Sequence, residues 1–279
     1  MNIKILSDST CDLSPALVAE NNITLVPLTV VKNGEQFKDG VTITPADIFD
    51  HVAAGGDLCS TSANAIGEYE DIFAQYGEYD GVIHITIGSG FSSCYQNACV
   101  AAADYPNVRV IDSQNLSTGQ GLVVLKACEL AKTATDLDAL AEDLRAFTAK
   151  VETSFLVDKL NYLVKGGRCS AAAALGANLL NLKPCIEVKD GKMTVVKKYR
   201  GNYAKCLANY IKDRLSGRED LDHTHLFVTK TVVSDDCDTA VKIALAQHAS
   251  FDHIYETTAG CTVSCHCGPG TLGILFVRK

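Results

Sequence analysis

The chain has 279 residues, of which 47% are hydrophobic and 21% charged, with a formal net charge of −8 at pH 7. This composition excludes a disordered or collagen-like chain, and the length predicts one large or two medium domains. No window approaches the ~18 uninterrupted apolar residues of a membrane helix, and the first ten residues lack the apolar core of a signal peptide. We therefore expect a cytoplasmic protein in which the 12 cysteines are reduced.

The first half of the chain alternates short β-rich runs with helical stretches. The β-rich runs are residues 3–6, 23–31, 81–87 and 108–111, and helical composition over residues 137–151 closes this half. Asn33-Gly34 predicts a hairpin, and Thr44-Pro45 followed by Asp47 predicts the start of a helix. The alternation predicts an α/β fold in which helices cover both faces of a parallel sheet.

The second half differs in pattern, and we place the boundary near Glu152. Residues 1–152 are then a parallel-sheet domain, and residues 153–279 are a mixed-sheet α/β domain with a hairpin across Asp190-Gly191. The predicted helices of this half are residues 171–180, 203–215 and 238–248, and the predicted strands are residues 185–188, 193–196, 226–228, 254–256 and 272–277.

Charge is distributed unevenly between the halves. Residues 1–150 hold 8 basic and 20 acidic side chains, whereas residues 151–279 hold 17 basic and 13 acidic ones. The excess of basic side chains in the second half is concentrated in residues 159–218, which hold 13 basic and 3 acidic side chains. Such a stretch is either a solvated face or a surface that attracts an anionic partner.

Four hydroxyl-rich loops are candidates for ligand binding: Ser7-Asp8-Ser9-Thr10, Ser60-Thr61-Ser62, Ser89-Gly90-Phe91-Ser92-Ser93 and residues 113–118. Loops that follow parallel strands gather at one sheet edge, and a helix starting at Ser92 would offer backbone N–H groups to an anion. The alternative is that these residues only cap helices and form turns. Because the loops contain no lysine or arginine, they favour a carboxylate over a polyphosphate.

Common hydrolase, nucleotide-binding and metalloprotease signatures are missing: Gly-x-Ser-x-Gly, the phosphate-binding loop and His-Glu-x-x-His do not occur. Cys261, Cys265, His266 and Cys267 form a metal-like cluster, but structural zinc sites usually draw cysteine pairs from two separated positions. We instead expect His266 to lie in a strand-to-turn segment and to donate a hydrogen bond to an anion in a cleft.

Taken in order, these pieces resemble the DegV family, and the resemblance spans nearly the whole chain. The matching segments are Asp8-Ser9-Thr10, Thr61-Ser62, Ser89-Gly90-Phe91-Ser92 with Tyr95, Lys165-Gly166-Gly167-Arg168-Cys169-Ser170 and the segment from His266 to Gly273. The family usually has Gln-Pro where this chain has Ala63-Asn64, and Gly-Thr where it has Ser93-Cys94.

The resemblance implies a bacterial fatty-acid-binding protein of two α/β domains, with one long-chain fatty acid in a tunnel between them. It assigns the carboxylate to Thr61 and Ser92. Ser62 lies beside Thr61, and Ser93 could share or replace the contact of Ser92. Arg168 matches a basic loop, and His266 matches a histidine near the head group.

The resemblance further implies a carrier that is not itself an enzyme, needs no cofactor, and presents its ligand to a separate fatty acid kinase for phospholipid synthesis. The basic stretch that includes Lys197, Lys198 and Arg200 then becomes a docking face for an acidic kinase or an anionic membrane surface. Nucleic acid is not expected, because the chain is acidic overall and the basic stretch has no aromatic stacking pattern.

Two other functions remain open at this stage. A hydrolase or acyltransferase would use Ser92 or Cys94 with His266, and a zinc-dependent interaction module would use the cysteine cluster.

Overall fold

A computed structural model describes residues 1–173 and 182–279. The predicted helix over residues 171–180 lies mostly outside the described residues. The described chain forms a parallel sheet from its first half, a mixed sheet from its second half, and a small antiparallel sheet. The α/β fold class is therefore confirmed. No helix in the described ranges is long and apolar enough to cross a bilayer.

The first half alternates strands and helices, as predicted. Its strands are β1 (Ile3–Asp8), β2 (Thr24–Val26), β3 (Thr29–Lys32), β4 (Glu35–Lys38), β5 (Ser60–Ser62), β6 (Gly81–Thr86) and β7 (Val108–Asp112). Its helices are α1 (Pro15–Glu20), α2 (Pro45–Ala53), α3 (Ile66–Phe73), α4 (Cys94–Ala102), α5 (Ser117–Ala131) and α6 (Leu137–Thr148).

Two sheets arise from these strands. The parallel sheet has the strand order β2-β1-β6-β7. Strand β6 is an inner strand of this sheet, and all of its residues are buried. The small antiparallel sheet has the order β4-β3-β5 and contains the predicted Asn33-Gly34 hairpin. Sequence reasoning treated Ser60-Thr61-Ser62 as a loop, but these residues form the edge strand β5. Three polar residues without apolar alternation give no strand signal.

Local sequence rules account for several helix ends. The hydroxyl of Thr44 accepts from the Asp47 N–H at 3.4 Å, while the Asp47 carboxylate accepts from the Thr44 N–H at 2.8 Å. Pro45 occupies the first helical position, where its missing N–H costs nothing. The predicted start of α4 at Ser92 is wrong by two residues, because Ser93 is the N-cap and the helix begins at Cys94.

The second half begins with a strand. Its strands are β8 (Val151–Val157), β9 (Leu182–Lys189), β10 (Lys192–Arg200), β11 (Leu221–Lys230), β12 (His253–Thr258) and β13 (Thr271–Arg278), in the sheet order β10-β9-β8-β13-β11-β12. The helices are α7 (Asn161–Gly166), α8 (Ser170–Ala173), α9 (Tyr203–Leu215), α10 (Asp235–His248) and α11 (Cys261–Cys267). The predicted hairpin across Asp190-Gly191 joins β9 and β10.

One second-half prediction is wrong: His266 lies in helix α11, not in a strand-to-turn segment. The segment carries β-branched residues and cysteine, which are poor helix formers. It is nevertheless helical because Asp39, distant in sequence, accepts the backbone N–H groups of Cys261 and Thr262 at the first turn. Tertiary contacts override local propensity here.

The two halves share their core. Helix α5 is buried through most of its length and packs against strands of both the parallel and the mixed sheet. One apolar cluster joins Ile83 and Leu122 of the first half to Phe227 and Leu275 of the second. The predicted division between residues 152 and 153 falls just inside β8, and the division into domains stays a prediction.

Candidate ligand-binding site

A cavity lies where α11 and α7 approach the small sheet and the loop before α4. The empty space within it, counted together with its open mouth, is about 530 Å³. Its polar wall is formed by Thr61, Ser62, Ser92, Arg168, Thr262 and His266. The remaining wall is formed by Leu28, Ala63, Ile87, Phe91, Leu116, Met193, Val263 and Cys267. The cavity therefore has a group of polar side chains in a wall that is otherwise mostly apolar.

The first polar contact joins residues far apart in sequence. Thr61 Oγ1 lies 2.8 Å from His266 Nε2, across 205 residues. Strand β5 presents Thr61, and α11 presents His266. This contact therefore depends on how the small sheet packs against a helix of the second half.

His266 is neutral at physiological pH. Burial, with a smaller effect from the Arg168 charge, lowers the pKa of its imidazole from 6.5 to about 4. Its Nδ1 has no hydrogen-bond partner among the described residues and faces Gly166, where an added Cβ would come within 2.6 Å of this nitrogen. Only a residue without a side chain fits there unless the ring moves.

The tautomer of His266 follows from these contacts. A buried N–H without an acceptor is rarer than an unfilled acceptor, so we assign the hydrogen to Nε2 and the bare lone pair to Nδ1. Nε2–H then donates to Thr61 Oγ1, and the Thr61 hydroxyl keeps its own hydrogen for a ligand. The arrangement makes Thr61 a donor into the cavity.

The second polar contact is local. Ser92, which is half-buried, lies in the loop between β6 and α4. Its Oγ accepts from the Cys94 N–H at 3.3 Å and lies 3.1 Å from the Cys94 thiol. Ser93 is exposed and does not line the cavity. Of the two neighbouring serines, Ser92 is the one that faces the site.

Arg168 supplies positive charge at the cavity. Its side chain is exposed and donates from Nη1 to the Gly166 carbonyl at 2.8 Å. Guanidinium groups have five donors and no acceptor, so further donors of Arg168 remain available for an anion. Ser62 is exposed on β5 beside Thr61 and lines the same cavity.

A buried carboxylate that sequence reasoning missed holds α11 in place. Asp39, which is 4% exposed, accepts from Cys261 N at 2.9 Å, from Thr262 N at 3.1 Å and from Thr262 Oγ1 at 2.7 Å. It also accepts from the Ser9 hydroxyl at 3.0 Å. Asp39 thereby ties the helix that carries His266 to the first half of the chain.

A second cavity of about 330 Å³ adjoins the first. The two share Leu116, Val263 and Cys267 as wall residues. The second cavity continues between α5 and the mixed sheet, past Phe155 and Leu275. Together the cavities run from the polar wall toward the shared core.

The arrangement suits an anion that only accepts hydrogen bonds and carries an apolar chain. Thr61 and Ser92 offer hydroxyl donors, Arg168 offers charge, and a carboxylate accepts from such groups. The apolar walls would exclude water from the chain.

Comparison with known proteins identifies the family. The sequence profile of the DegV family, described as uncharacterised proteins, matches residues 2–279. The chain belongs to the DegV family. A DegV domain-containing protein from Clostridium acetobutylicum is 32% identical over 282 residues, covering 99% of each chain.

Solved DegV structures share the whole fold. A DegV family protein from Thermus thermophilus, reported for its fatty-acid binding, superimposes with a TM-score of 0.89 at 28% identity, covering 100% of both chains. DegV from Bacillus subtilis, reported as a fatty-acid-binding protein, superimposes with a TM-score of 0.83 at 26% identity, also covering 100% of both.

The residues that the DegV resemblance assigned to the head group are thus mostly brought together. Thr61, Ser62, Ser92, Arg168 and His266 line one cavity. Lys197, Lys198 and Arg200 lie elsewhere, exposed on the edge strand β10. Lys197 pairs with Asp213 at 2.6 Å.

The other two hydroxyl-rich loops place no hydroxyl group in the lining of the first cavity, to which they contribute only Leu116. The Thr10 hydroxyl donates to Gln120 at 2.7 Å, and the Ser117 hydroxyl donates to Asp12 at 2.6 Å. Ser9, Thr10 and Ser117 thus tie the first half of the chain together.

The cysteine cluster is not assembled as a metal site. Cys261 donates its thiol to the Ile43 carbonyl at 3.2 Å, whereas the His266 ring bonds to Thr61. Within residues 1–173 and 182–279, no group of three or more histidine, cysteine or acidic side chains is arranged to hold a metal ion.

Proposed function

We propose that this chain binds one long-chain fatty acid of the palmitate or oleate class and presents its carboxylate to a separate fatty acid kinase. The observation that carries the proposal is that Thr61, Ser92, Arg168 and His266 line one cavity whose remaining wall is mostly apolar. The carboxylate would accept from Thr61 and Ser92, and the acyl chain would lie along the apolar wall toward the second cavity.

The relatives support the same ligand class. The Thermus thermophilus and Bacillus subtilis proteins are both reported to bind fatty acids, and both share the full length of this chain. Their identities of 28% and 26% leave the acyl chain length open, because it depends on scattered apolar side chains.

The binding free energy expected from the acyl tail differs from that expected from the carboxylate. Burial of about fifteen methylenes contributes about 12 kcal/mol, at roughly 0.8 kcal/mol each, before the cost of ordering the ligand. Each charge-assisted hydrogen bond from Thr61 or Ser92 contributes about 1.5–3 kcal/mol. The tail would provide most of the affinity, and the hydroxyls would fix the orientation of the carboxylate.

A carrier fits the contacts better than a hydrolase. His266 bonds to Thr61 and not to Ser92 or Cys94 in the described structure, so neither candidate nucleophile has this histidine as its base. Burial raises the pKa of the Cys94 thiol to about 12, and a thiol that stays protonated is a poor nucleophile. We therefore propose a non-enzymatic carrier without a cofactor, acting in the cytoplasm in phospholipid synthesis.

Native mass spectrometry of the purified protein, followed by denaturation and organic extraction, tests the ligand. We expect one free fatty acid per chain, unmodified and recoverable. A protein of apo mass that also fails to take up added palmitate or oleate would contradict the proposal. A covalent acyl adduct on Ser92 or Cys94 would support the hydrolase instead.

The kinase proposal needs a second experiment. We expect Ser92→Ala to weaken fatty-acid binding modestly and to impair kinase-dependent acyl phosphorylation more strongly, because the hydroxyl mainly orients the carboxylate. Ser93→Ala is the matched control, since Ser93 is exposed outside the cavity lining. Unchanged turnover with Ser92→Ala would contradict this role.

The basic edge strand is the proposed docking face for an acidic kinase surface or, during ligand exchange, an anionic membrane. Lys198 and Arg200 are exposed there beside the paired Lys197. We expect the double charge reversal Lys197→Glu and Lys198→Glu to slow kinase coupling or vesicle exchange, whereas Lys132→Glu, exposed on the first half, would change neither. Retention of both activities in the double variant rejects this docking face.

A further inference from the structure

Ser92 is held by a partner that the proposed function does not use. Its Oγ has two contacts within the loop, the N–H of Cys94 at 3.3 Å and the thiol of Cys94 at 3.1 Å. Cys94 is fully buried, whereas Ser92 reaches the cavity. The thiol therefore lies directly behind the hydroxyl that would meet the ligand.

The thiol is itself anchored from within the protein. It lies near the Tyr69 hydroxyl, which donates to Asp8 Oδ1 at 3.0 Å. The second oxygen of Asp8 accepts from the Ile87 N–H at 3.0 Å, and His84 Nε2 lies 3.3 Å from the first. Asp8, Tyr69, His84 and Cys94 are completely buried, so this group of side chains is shielded from water.

The chemistry of the thiol matters because a serine hydroxyl can rotate. Without a ligand, Ser92 can donate its hydrogen to the Cys94 sulfur. A carboxylate accepts only, and its charge-assisted bond is about twice as strong as a neutral one, so it would take the Ser92 hydrogen from the sulfur. A thiol can then donate S–H back to Ser92 Oγ, which an apolar side chain cannot do.

We propose that Cys94 is a positioning residue that holds the Ser92 hydroxyl in both states, accepting its hydrogen when the cavity is empty and donating S–H when a carboxylate occupies it. This inference rests on the proposed fatty-acid site. Only hydrogen bonds are exchanged, and no covalent bond forms or breaks.

The protonation state of the thiol fits this role. Burial, with repulsion from Asp8, raises the pKa of Cys94 to about 12, so the S–H hydrogen is present throughout the physiological range. The hydroxyl of Tyr69 is committed to Asp8, which leaves its oxygen to accept and not to compete as a donor toward Ser92.

Palmitate affinity of three variants tests the proposal. We expect Cys94→Ala to bind about three- to tenfold more weakly, the range of one net hydrogen bond, and Cys94→Ser to restore binding to within about twofold, because its hydroxyl also donates and accepts. Cys99→Ala, exposed on the same helix, is the control and should bind as the wild type does.

A double-mutant cycle separates positioning from a general loss of structure. In the Ser92→Ala background, Cys94→Ala should cause no further loss, because the hydroxyl that it positions is gone. An equal loss in both backgrounds, or wild-type affinity of Cys94→Ala, would overturn the proposal.

A spectroscopic measurement does not depend on the alanine variant. The infrared S–H band of Cys94, isolated as the difference between the wild type and Cys94→Ser, should shift when palmitate saturates the protein, because the thiol changes its acceptor. An unchanged band in a protein that binds palmitate would overturn the inference and leave the proposed function intact. Failure of the wild type to bind palmitate would contradict the proposed function itself and remove the site on which the inference rests.

Discussion

The two sides of the candidate site are built in opposite ways. Thr61 and His266 meet across 205 residues, through the packing of the small sheet against α11. Ser92 and Cys94 are two residues apart and meet through the geometry of one loop. One donor therefore depends on the tertiary fold, and the other depends on a local turn.

Because of this difference, mutations far from the site should affect its two sides unequally. Changes far from the ligand can displace His266 if they release α11, because that helix is held by Asp39 of the first half. The contact between Ser92 and Cys94 spans two residues and does not involve α11.

The largest expected effect is that of Asp39→Ala. Removal of this buried carboxylate leaves the N–H groups of Cys261 and Thr262 without their acceptor, so we expect the free energy of unfolding to fall by about 4 kcal/mol. Urea unfolding measures the loss, with Asp57→Ala as the exposed control. In the variant that remains folded, the His266 contact should be lost while the Ser92 loop is retained. Stability equal to that of the wild type would show that Asp39 does not hold α11.

The next effect is a pH dependence carried by His266. The folded pKa of about 4 lies below 6.5, so between these values the unfolded chain binds a proton that the folded chain does not. The stabilisation from the neutral ring is complete above pH 6.5 and is lost as the pH falls toward 4, by about 3 kcal/mol.

Comparison of unfolding free energies at pH 7 and pH 4.5 for the wild type and His266→Gln isolates this contribution. The variant should lose less stability on acidification, by about 2–3 kcal/mol. Parallel pH profiles for the wild type and His266→Gln would mean that His266 is not held neutral by burial.

The sequence was sufficient for most of the fold. Alternation of apolar runs predicted β1, β6 and β7, and Asn33-Gly34 predicted its hairpin, because these signals are local. Strand β5 and helix α11 were not predicted, because they depend on contacts that are distant in sequence. Ser60-Thr61-Ser62 becomes a strand only by pairing with β3, and α11 begins where Asp39 accepts its first N–H groups.

The residues of the candidate site also divide into those with a local sequence signal and those without one. Ser92 could be chosen from a hydroxyl-rich loop after a buried strand, but Asp39 carried no signal, since a lone aspartate after β4 is typical of a turn. The family resemblance assigned Thr61 and His266 to the same head group, but nothing in the sequence predicted the contact between them. Long-range contacts of this kind have no local pattern from which to predict them.

Loss of either the Thr61 or the Ser92 hydroxyl should have a smaller effect, which is measured as palmitate affinity. We expect Thr61→Val to weaken palmitate binding about tenfold and Ser92→Ala about threefold, because in the proposed complex Thr61 would donate to the carboxylate, and it also contacts His266 at 2.8 Å. Thr61→Ser keeps the hydroxyl and should bind nearly as well as the wild type. Isothermal titration calorimetry measures each affinity. A larger loss in Ser92→Ala than in Thr61→Val would reverse the assigned roles.

The smallest expected effect comes from Gly166→Ala, which touches only the Thr61 and His266 side. An added Cβ would lie 2.6 Å from His266 Nδ1, so the ring must shift by about 0.8 Å to reach ordinary van der Waals contact at 3.4 Å, which misaligns its bond to Thr61. We expect palmitate affinity to fall about two- to threefold with little net change in stability, because the helix preference of alanine over glycine in α7 offsets the cost of moving the ring. Gly77→Ala, where an added Cβ meets open space, should leave affinity unchanged. Because the affinity falls while the stability does not, the effect reports the position of the ring; unchanged affinity in Gly166→Ala would show that the orientation of His266 does not limit binding.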